Sequence, residues 1–463
     1  MQENSLLLDK NDINNYGIIY TPNNLVNAIL DLIPNEYFKN PNLRWLDIGA
    51  GTGSFSINLY NRLLNNLINN FSNIQETKNH IIKNMIYMVE IYPNHITYLK
   101  KEFTNEANIL NIDFLALNIN NNLKYKFDFI IGNPPYNING KLKTPTNNNL
   151  KKSDTGKQVY VDFVYKSFEL LKPHGFLNII IPSLWLKPDK ANLYNFLTNK
   201  KIHKLVCLST TQTQKAFNYK AQTPTCYFLI ENNTNQKNII QNELIIYDDL
   251  NKDFINYTLK TNFPIPINGI NIVNNLLKYV NKVGHLKVYK SSTLSKKTKI
   301  ENNYNENFQY INIKTTILSN NDPQLVINYS NIAQQFINES KLILANKMYG
   351  FPFYDISGTY GISSRDNYII LEKDYSKKDL LLIQAFLSTK TALFIFSTTN
   401  YRMRYLERYA FQFIPNINKI PNFPDLLNIN MKTRDKLIQD FFNYSQSERE
   451  KIEKFSKNYN FFI

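Results

Sequence analysis

Cysteine is almost missing from this chain, which carries only Cys207 and Cys226 in 463 residues. Both sit in apolar, strand-like runs and read as buried thiols, not as a disulfide. Histidine is nearly as scarce, with five scattered residues, so zinc and redox chemistry recede and no metal is expected. Long hydrophobic runs are absent as well. No stretch approaches the roughly 18 apolar residues of a membrane-spanning helix, and the opening MQENSLLLDKND lacks the basic-then-apolar order of a signal peptide. A soluble, cytoplasmic protein with no membrane contact is expected. Acidic charge is short in one part only. Residues 1–136 hold 10 Lys and Arg against 12 Asp and Glu, residues 137–463 hold 43 against 25, and the whole chain carries +16. A basic excess interleaved with Tyr and Phe suits a polyanionic partner through phosphate contacts, or else forms a solvated Lys-rich surface.

The chemistry is concentrated in residues 128–136, Asp-Phe-Ile-Ile-Gly-Asn-Pro-Pro-Tyr. Such an apolar run makes a buried parallel strand, and two prolines end it, since neither donates to a ladder and each fixes its own φ. In an open α/β sheet, ligands bind in the crevice outside the carboxyl ends of the strands. Asn133 and Tyr136 therefore stand at a candidate active-site rim. Asn133 offers a carbonyl acceptor and an NH2 donor, the backbone of Pro134 offers a second acceptor, and Tyr136 offers a flat ring. Together they suit a planar molecule bearing an amino or amide group.

Hydrophobic patterning places strands at 43–49, 85–91, 107–114, 127–132, 176–182, 203–208 and 224–230. Helical segments fall at 23–32, 56–69, 95–104, 159–171 and 189–198. The alternation predicts an α/β fold with a doubly wound, mostly parallel sheet. Past Asp248 it fades into Asn-rich segments and an aromatic-basic tail, so domains are expected over 1–248 and 249–463. No repeat is visible.

The first strand runs into Asp47-Ile48-Gly49-Ala50-Gly51-Thr52-Gly53-Ser54-Phe55. Glycines there permit positive φ and close backbone approach, and the following helix start presents free N–H groups, an arrangement that cradles a nucleotide-like cofactor or simply makes a tight turn. The Gly-x-Gly-x-x-Gly spacing and a Gly-Lys-Ser/Thr are both missing from the turn, which disfavours nicotinamide cofactors and ATP. The second strand ends at Glu90-Ile91 and the third at Asp113-Phe114. Glu90 could accept from ribose hydroxyls and Asp113 from an adenine amino group, with Phe114 against the ring; each acid could instead cap a helix.

In this order, the glycine turn, Glu90, Asp113 and the Asn133-Pro134-Pro135-Tyr136 corner resemble the S-adenosylmethionine-dependent adenine-N6 DNA methyltransferases whose cofactor motif comes first. The resemblance covers residues 16 to about 231. It implies a seven-stranded methyltransferase sheet, followed by a C-terminal α+β recognition domain. Asp47, Gly49, Gly51 and Gly53 look like the family's Asp-Pro-Ala-Cys-Gly-Ser-Gly-x-Phe turn, although Ile48, Gly49 and Ala50 depart from it. Tyr20-Thr21-Pro22 is similar to the family's N-terminal segment, which implies that Thr21 meets the methionine end of the cofactor. Glu90 and Ile91 match its ribose and adenine contacts, and Asp113 and Phe114 its adenine-edge contacts. About 40 residues separate Asp47 from Glu90, against roughly 20 in a simple βαβ unit, so 64–84 is read as an insertion. Upstream of the last strand the family places an aromatic facing the target base; Phe217 is the first choice and Tyr219 the reserve, with core packing as the alternative for either ring.

The resemblance implies transfer of a methyl group from S-adenosylmethionine to N6 of an adenine flipped out of double-stranded DNA. Asn133 Oδ1 and the Pro134 carbonyl would hold the amino hydrogens, and Tyr136 and Phe217 would sandwich the base. A separate restriction endonuclease is an implied partner. Lys151 and Lys152, in a basic stretch after the corner, are candidate DNA contacts on an ordering loop or part of a surface insertion. Arg402, Arg404 and Arg408 are further candidates for phosphates or guanine edges, or form a solvated basic helix face. Two other substrates fit the same corner: a protein glutamine, whose amide presents the same NH2, and an RNA base. The basic second half favours nucleic acid over protein. A catalytically silent DNA-binding protein would require a vestigial pocket, at odds with the intact motifs.

Overall fold

The computed structural model describes residues 19–119, 121–137, 158–233, 243–402 and 405–457. The chain divides into two compact units, Met1–Tyr247 with Asn256–Leu259, and Asp248–Ile255 with Lys260–Ile463. Among the described residues no single helix is long and apolar enough to cross a membrane.

The first unit is built on a large, mostly parallel sheet. Its strands are β1 (Trp45–Asp47), β2 (Ile86–Glu90), β3 (Asn108–Asn111), β4 (Phe127–Gly132), β5 (Leu171–Pro182), β6 (Lys201–Leu208) and β7 (Thr225–Glu231). Two further strands, β8 (Glu243–Asp248) and β9 (Asp253–Thr258), extend the order to β3-β2-β1-β4-β5-β7-β6-β8-β9. The sheet therefore has nine strands where seven were expected. Strands β1 to β5 pair in parallel, and β7 runs antiparallel to both β5 and β6. β6 pairs in parallel with β8.

Burial explains the strand assignments. Phe176–Pro182 of β5 is buried at every residue, as suits an inner strand covered on both faces. Trp45, in β1, stacks on Phe38 at 5.4 Å and on Phe129 of β4 at 4.1 Å, and Phe129 stacks on Phe176 of β5 at 5.1 Å. Each fully buried ring contributes about 1.5–3 kcal/mol, and the row holds β1, β4 and β5 in register beneath the strand ends that carry the polar residues. The helix Ser54–Leu67 buries Phe55, Leu59, Leu63 and Leu67, one per turn, against this core.

The segment read as an insertion is ordered. Asn73 caps the helix Ile74–His80 by accepting from Glu76 N–H, and a π-helical turn, Ile81–Met85, buries Ile81 and Met85 before entering β2. Cys207 and Cys226 face each other across β6 and β7, both buried and free.

The second unit contains two four-stranded sheets. Its strands are β10 (Tyr289–Lys290), β11 (Ile300–Glu301), β12 (Tyr310–Ser319), β13 (Asp322–Ser330), β14 (Lys341–Ala345), β15 (Phe353–Asp355), β16 (Gly361–Ile362) and β17 (Asn367–Leu371). One sheet has the order β10-β17-β14-β15 and the other β11-β13-β12-β16, the latter holding the β12/β13 hairpin. That hairpin turns on Asn320 and Asn321, both at positive φ, the preference of a type I′ turn. Ile313, Ile343, Ile362, Ile369 and Leu371 form a core. Helices Lys377–Leu387 and Lys390–Ser397 follow, the second buried from Thr391 to Ser397, as a helix apolar on all sides must be.

Candidate active site

The carboxyl ends of β3, β2, β1 and β4 lie side by side because these strands are consecutive in the sheet and mutually parallel. The polar residues that end them converge on a cavity of about 360 Å³. Tyr20, Thr21, Gly49, Gly51, Glu90, Ile91, Asp113, Phe114, Asn133, Pro134 and Tyr136 all line it.

After β1 the chain turns tightly, with Ala50 N–H donating to Val89 O at 3.0 Å and Gly53 N–H to Ala50 O at 2.7 Å. Gly53 sits at φ 87°, and a Cβ there would stand 2.9 Å from Leu99 Cδ2. The positive φ is what favours glycine here, since the Leu99 methyl lies at the end of a flexible side chain. The helix Ser54–Leu67 begins without a side-chain cap, and its first residues, Ser54 and Phe55, face the cavity. Unpaired N–H groups at such a start suit partial negative charge.

Two expected contacts stand behind this wall. Asp47 and Gly53 are not among the lining residues; Asp47 is 1% exposed and accepts from Ser56 Oγ at 2.7 Å. Its other oxygen is buried without a hydrogen-bond partner among the described residues. Burial pushes its carboxyl up to about 7, against the lowering bond from Ser56 and with the charge of Glu90 adding to the rise. A Cβ at Gly132, which has φ 140°, would come within 3.2 Å of Asp47 Oδ1 and 3.1 Å of Ile48 Cγ1. Glycine lets the ends of β1 and β4 approach.

Glu90 is held differently. Its Oε2 accepts from Gly51 N–H at 2.7 Å, its Oε1 accepts from Tyr92 N–H at 2.8 Å, and His95 Nδ1 stands 3.6 Å from Oε1. Burial alone would raise this carboxyl; His95 and the two N–H groups outweigh it and hold the pKa below the ordinary value. Each oxygen keeps a lone pair for another donor. Asp113 Oδ1 accepts from Leu115 N–H at 2.9 Å and so caps the short turn Phe114–Ala116 while still lining the cavity. Phe114 stacks on Phe163 at 4.9 Å.

At the end of β4, Asn133 Nδ2 donates to Thr21 Oγ1 at 3.1 Å. Among the described residues, Asn133 Oδ1 is buried and has no hydrogen-bond partner, and the Tyr136 hydroxyl is in the same state. Burial pushes the Tyr136 phenol well above its ordinary value. Its ring meets Tyr160 edge-on at 6.5 Å.

Phe217 corrects the expectation placed on it. It follows the helix Thr210–Ala216 directly, is 1% exposed, and packs in the apolar core, away from the cavity. Tyr219 is 71% exposed at φ 63°, and the next four residues, Lys220 to Thr223, line the cavity. That wall, together with Tyr92, His95 and Phe163, went unmarked in the sequence. Only the Ser209-x-x-Gln212 capping box, which starts the helix leading to it, was a legible local signal.

The nucleic-acid candidates are less complete. Lys151, Lys152 and Arg404 lie outside the described residues. Arg402 is exposed and 3.5 Å from Glu407, and Arg408 is exposed at the start of a 3-10 turn, Arg408–Phe413. The described part of this run is therefore not a basic helix face. Tyr401 is fully buried, its hydroxyl donating to Ile265 O at 2.5 Å.

A mostly parallel sheet in which β7 runs antiparallel between β5 and β6, with a cavity over the ends of β3, β2, β1 and β4, defines an α/β protein of the ligand-binding, doubly wound kind. The family model of the Eco57I restriction-modification methylases matches residues 8–214. The chain is 29% identical over 218 residues to type II methyltransferase M.BstVI of Geobacillus stearothermophilus, a match covering 42% of this chain and 39% of that protein. It is 28% identical over 179 residues to modification methylase CviBIII of Paramecium bursaria Chlorella virus NC1A, covering 38% and 40% respectively. The matches thus span about two fifths of these relatives' length. Among solved structures, the ATP-dependent Type ISP restriction-modification enzyme LlaBIII bound to DNA aligns at a TM-score of 0.47 and 10% identity, over 92% of this chain and 39% of that one.

Proposed function

We propose that this chain is an S-adenosylmethionine-dependent DNA methyltransferase that modifies the N6 amino group of adenine. The observation that carries the reading is Asn133: its amide nitrogen is anchored on Thr21 while its oxygen stays buried and unpartnered beside the cavity. A buried acceptor without a donor costs free energy unless a ligand completes it, and an exocyclic NH2 is a fitting donor. The likeness to restriction-modification methylases over 8–214 supports the same reading.

The cavity suits the cofactor. Glu90 remains ionised with lone pairs available for ribose hydroxyls, Asp113 and Phe114 would meet the adenine edge and face, and Thr21 and the glycine turn, which line the same cavity, would border the methionine end. S-adenosylmethionine would supply an electrophilic methyl on a sulfonium. Asn133 Oδ1 and the Pro134 carbonyl would accept the two N6 hydrogens, so that the nitrogen lone pair aligns with that methyl; placement and electrostatics carry the catalysis, with no covalent enzyme intermediate. The target base would leave the duplex and lie on Tyr136. With Phe217 in the core, the opposite wall of the base pocket would come from Lys220–Thr223. The second unit, including Arg402 and Arg408, would hold the DNA, and a separate restriction endonuclease would share its site.

Incubation with methyl-labelled S-adenosylmethionine and, in parallel, unmethylated DNA, RNA and a glutamine-bearing protein tests the reading. Label recovered as N6-methyladenine in DNA is expected. Label confined to protein or RNA would replace the substrate while keeping the pocket, and no labelling together with no cofactor binding would overturn both.

A further inference from the structure

One imidazole stands between two residues of the cavity wall, Tyr20 and Glu90. His95 lies in the first turn of the helix Pro93–Phe103 and is 4% exposed. Its Nε2 is 3.0 Å from the Tyr20 hydroxyl, and its Nδ1, 3.6 Å from Glu90 Oε1, has no nearer polar partner. Tyr92 and Tyr20 meet the ring edge-on, at centroid distances of 5.0 and 6.0 Å. An ionised carboxylate only accepts, so the imidazole proton belongs on Nδ1, facing Glu90, and Nε2 accepts from Tyr20. Tyr20 adjoins Thr21, and Thr21 Oγ1 is the anchor of Asn133 Nδ2. Glu90, His95, Tyr20, Thr21 and Asn133 thus form one continuous chain of polar contacts and backbone, and all five border the same cavity.

We propose that His95 is a positioning residue, which ties the segment carrying Tyr20 and Thr21 to Glu90 and thereby sets the orientation of Asn133. The inference rests on reading the cavity as the cofactor and target site. The tie holds the Thr21 hydroxyl where it fixes the Asn133 amide, leaving Oδ1 turned to the substrate. Loosening the His95 end would let the 19–22 segment swing and release the amide. Glu90 would lose its side-chain neighbour at the same time, so cofactor affinity and turnover are coupled through one residue.

Three variants test this. Tyr20→Phe removes only a hydroxyl and preserves packing, His95→Ala removes both links, and His95→Gln returns a polar group to the site. In the ligand-free protein, amide exchange at residues 19–21 is expected to speed up about tenfold in Tyr20→Phe and His95→Ala, the scale of one lost hydrogen bond. Affinity for S-adenosylhomocysteine should fall by a similar factor, kcat on DNA should fall further than KM for the cofactor rises, and His95→Gln should recover part of each loss. The Tyr20→Phe/His95→Ala double variant should be no worse than His95→Ala. Unchanged exchange in both single variants, or losses that simply add, would overturn the proposal. A protein that binds S-adenosylhomocysteine yet methylates no DNA would overturn the substrate reading alone, because exchange and binding still report on the tie.

Discussion

Asp47 in the first unit and Asp355 in the second are both almost completely buried, at 1% and 2% exposure, yet they are treated in opposite ways. Asp355 uses every available neighbour: Oδ2 accepts from Lys341 Nζ at 2.7 Å and from Tyr360 N–H at 3.0 Å, and Oδ1 accepts from Thr359 N–H at 3.0 Å. Lys341 is itself fully buried, and burial lowers its pKa against the pull of Asp355. Asp47 is held by Ser56 alone, and its Oδ1 has no hydrogen-bond partner among the described residues. The same pattern recurs at Asn133 Oδ1 and the Tyr136 hydroxyl, a few residues away on the neighbouring strand end. A buried charge that is fully paired locks a turn. Among the described residues, unpartnered buried atoms also occur in the second unit, at Ser340, Tyr354 and Asn367; what sets Asn133 and Tyr136 apart is that both border the cavity, where a ligand could complete them.

Three experiments would break or sharpen that contrast. Asn133→Ala should have the largest effect, lowering methyl transfer by roughly three orders of magnitude or more if the amide orients the nucleophile, with S-adenosylhomocysteine affinity held within a few-fold. Near-normal turnover in that variant would remove the amide from the chemistry. Lys341→Met should leave Asp355 buried and unpaired and destabilise the second unit by about 3–5 kcal/mol. Urea unfolding reads this, and a further Asp355→Leu substitution should recover part of the loss; a neutral Lys341→Met would show the pair to be dispensable.

Asp47→Asn should have an effect of opposite sign, reaching its full size only at neutral and higher pH. The folded carboxyl, at about 7 against an ordinary 3.8, retains its proton where the unfolded chain has lost it. The folded state therefore binds more protons between these values, and this group's contribution to stability falls as pH rises from about 4 to about 7, then levels off. Asn can still accept from Ser56 but cannot ionise. The variant should match the parent near pH 4 and exceed it by on the order of 4 kcal/mol at neutral pH; a difference independent of pH would show that Asp47 is not the titrating group.

Much of the first unit was legible because its signals are local. Six expected strands coincide with β1, β2, β3, β4, β6 and β7 to within a few residues at each end, and the seventh falls on the C-terminal part of β5; runs such as Phe127–Gly132 and Thr225–Glu231 are buried along most of their length, as inner strands covered on both faces are. The Asn133–Tyr136 corner was visible for a similar reason: two prolines end a strand without help from the rest of the fold. Aromatic residues were harder. Phe217 and Tyr219 are two residues apart, yet one is 1% exposed and the other 71% exposed. Their composition is equivalent; the end of helix Thr210–Ala216 and the core beneath it separate them. Strands β8 and β9 escaped notice because short, half-polar segments such as Asp253–Thr258, mostly exposed, have little pattern to betray them.

The sequence by itself determined the strand that stops at Pro134-Pro135, the glycine turn, the order of Glu90 and Asp113 along the chain, and the shift to positive charge beyond Tyr136. These depend on backbone sterics, hydrophobic period and charge, which need no distant partner. Only the tertiary structure decided that Asp47 lies behind the cavity wall while Glu90 lies on it, that Phe217 belongs to the core, and that His95 stands between Tyr20, 75 residues earlier in the chain, and Glu90. Which atoms end up facing one another across such separations is set by how strands and helices pack, and packing leaves no mark in any single stretch of residues.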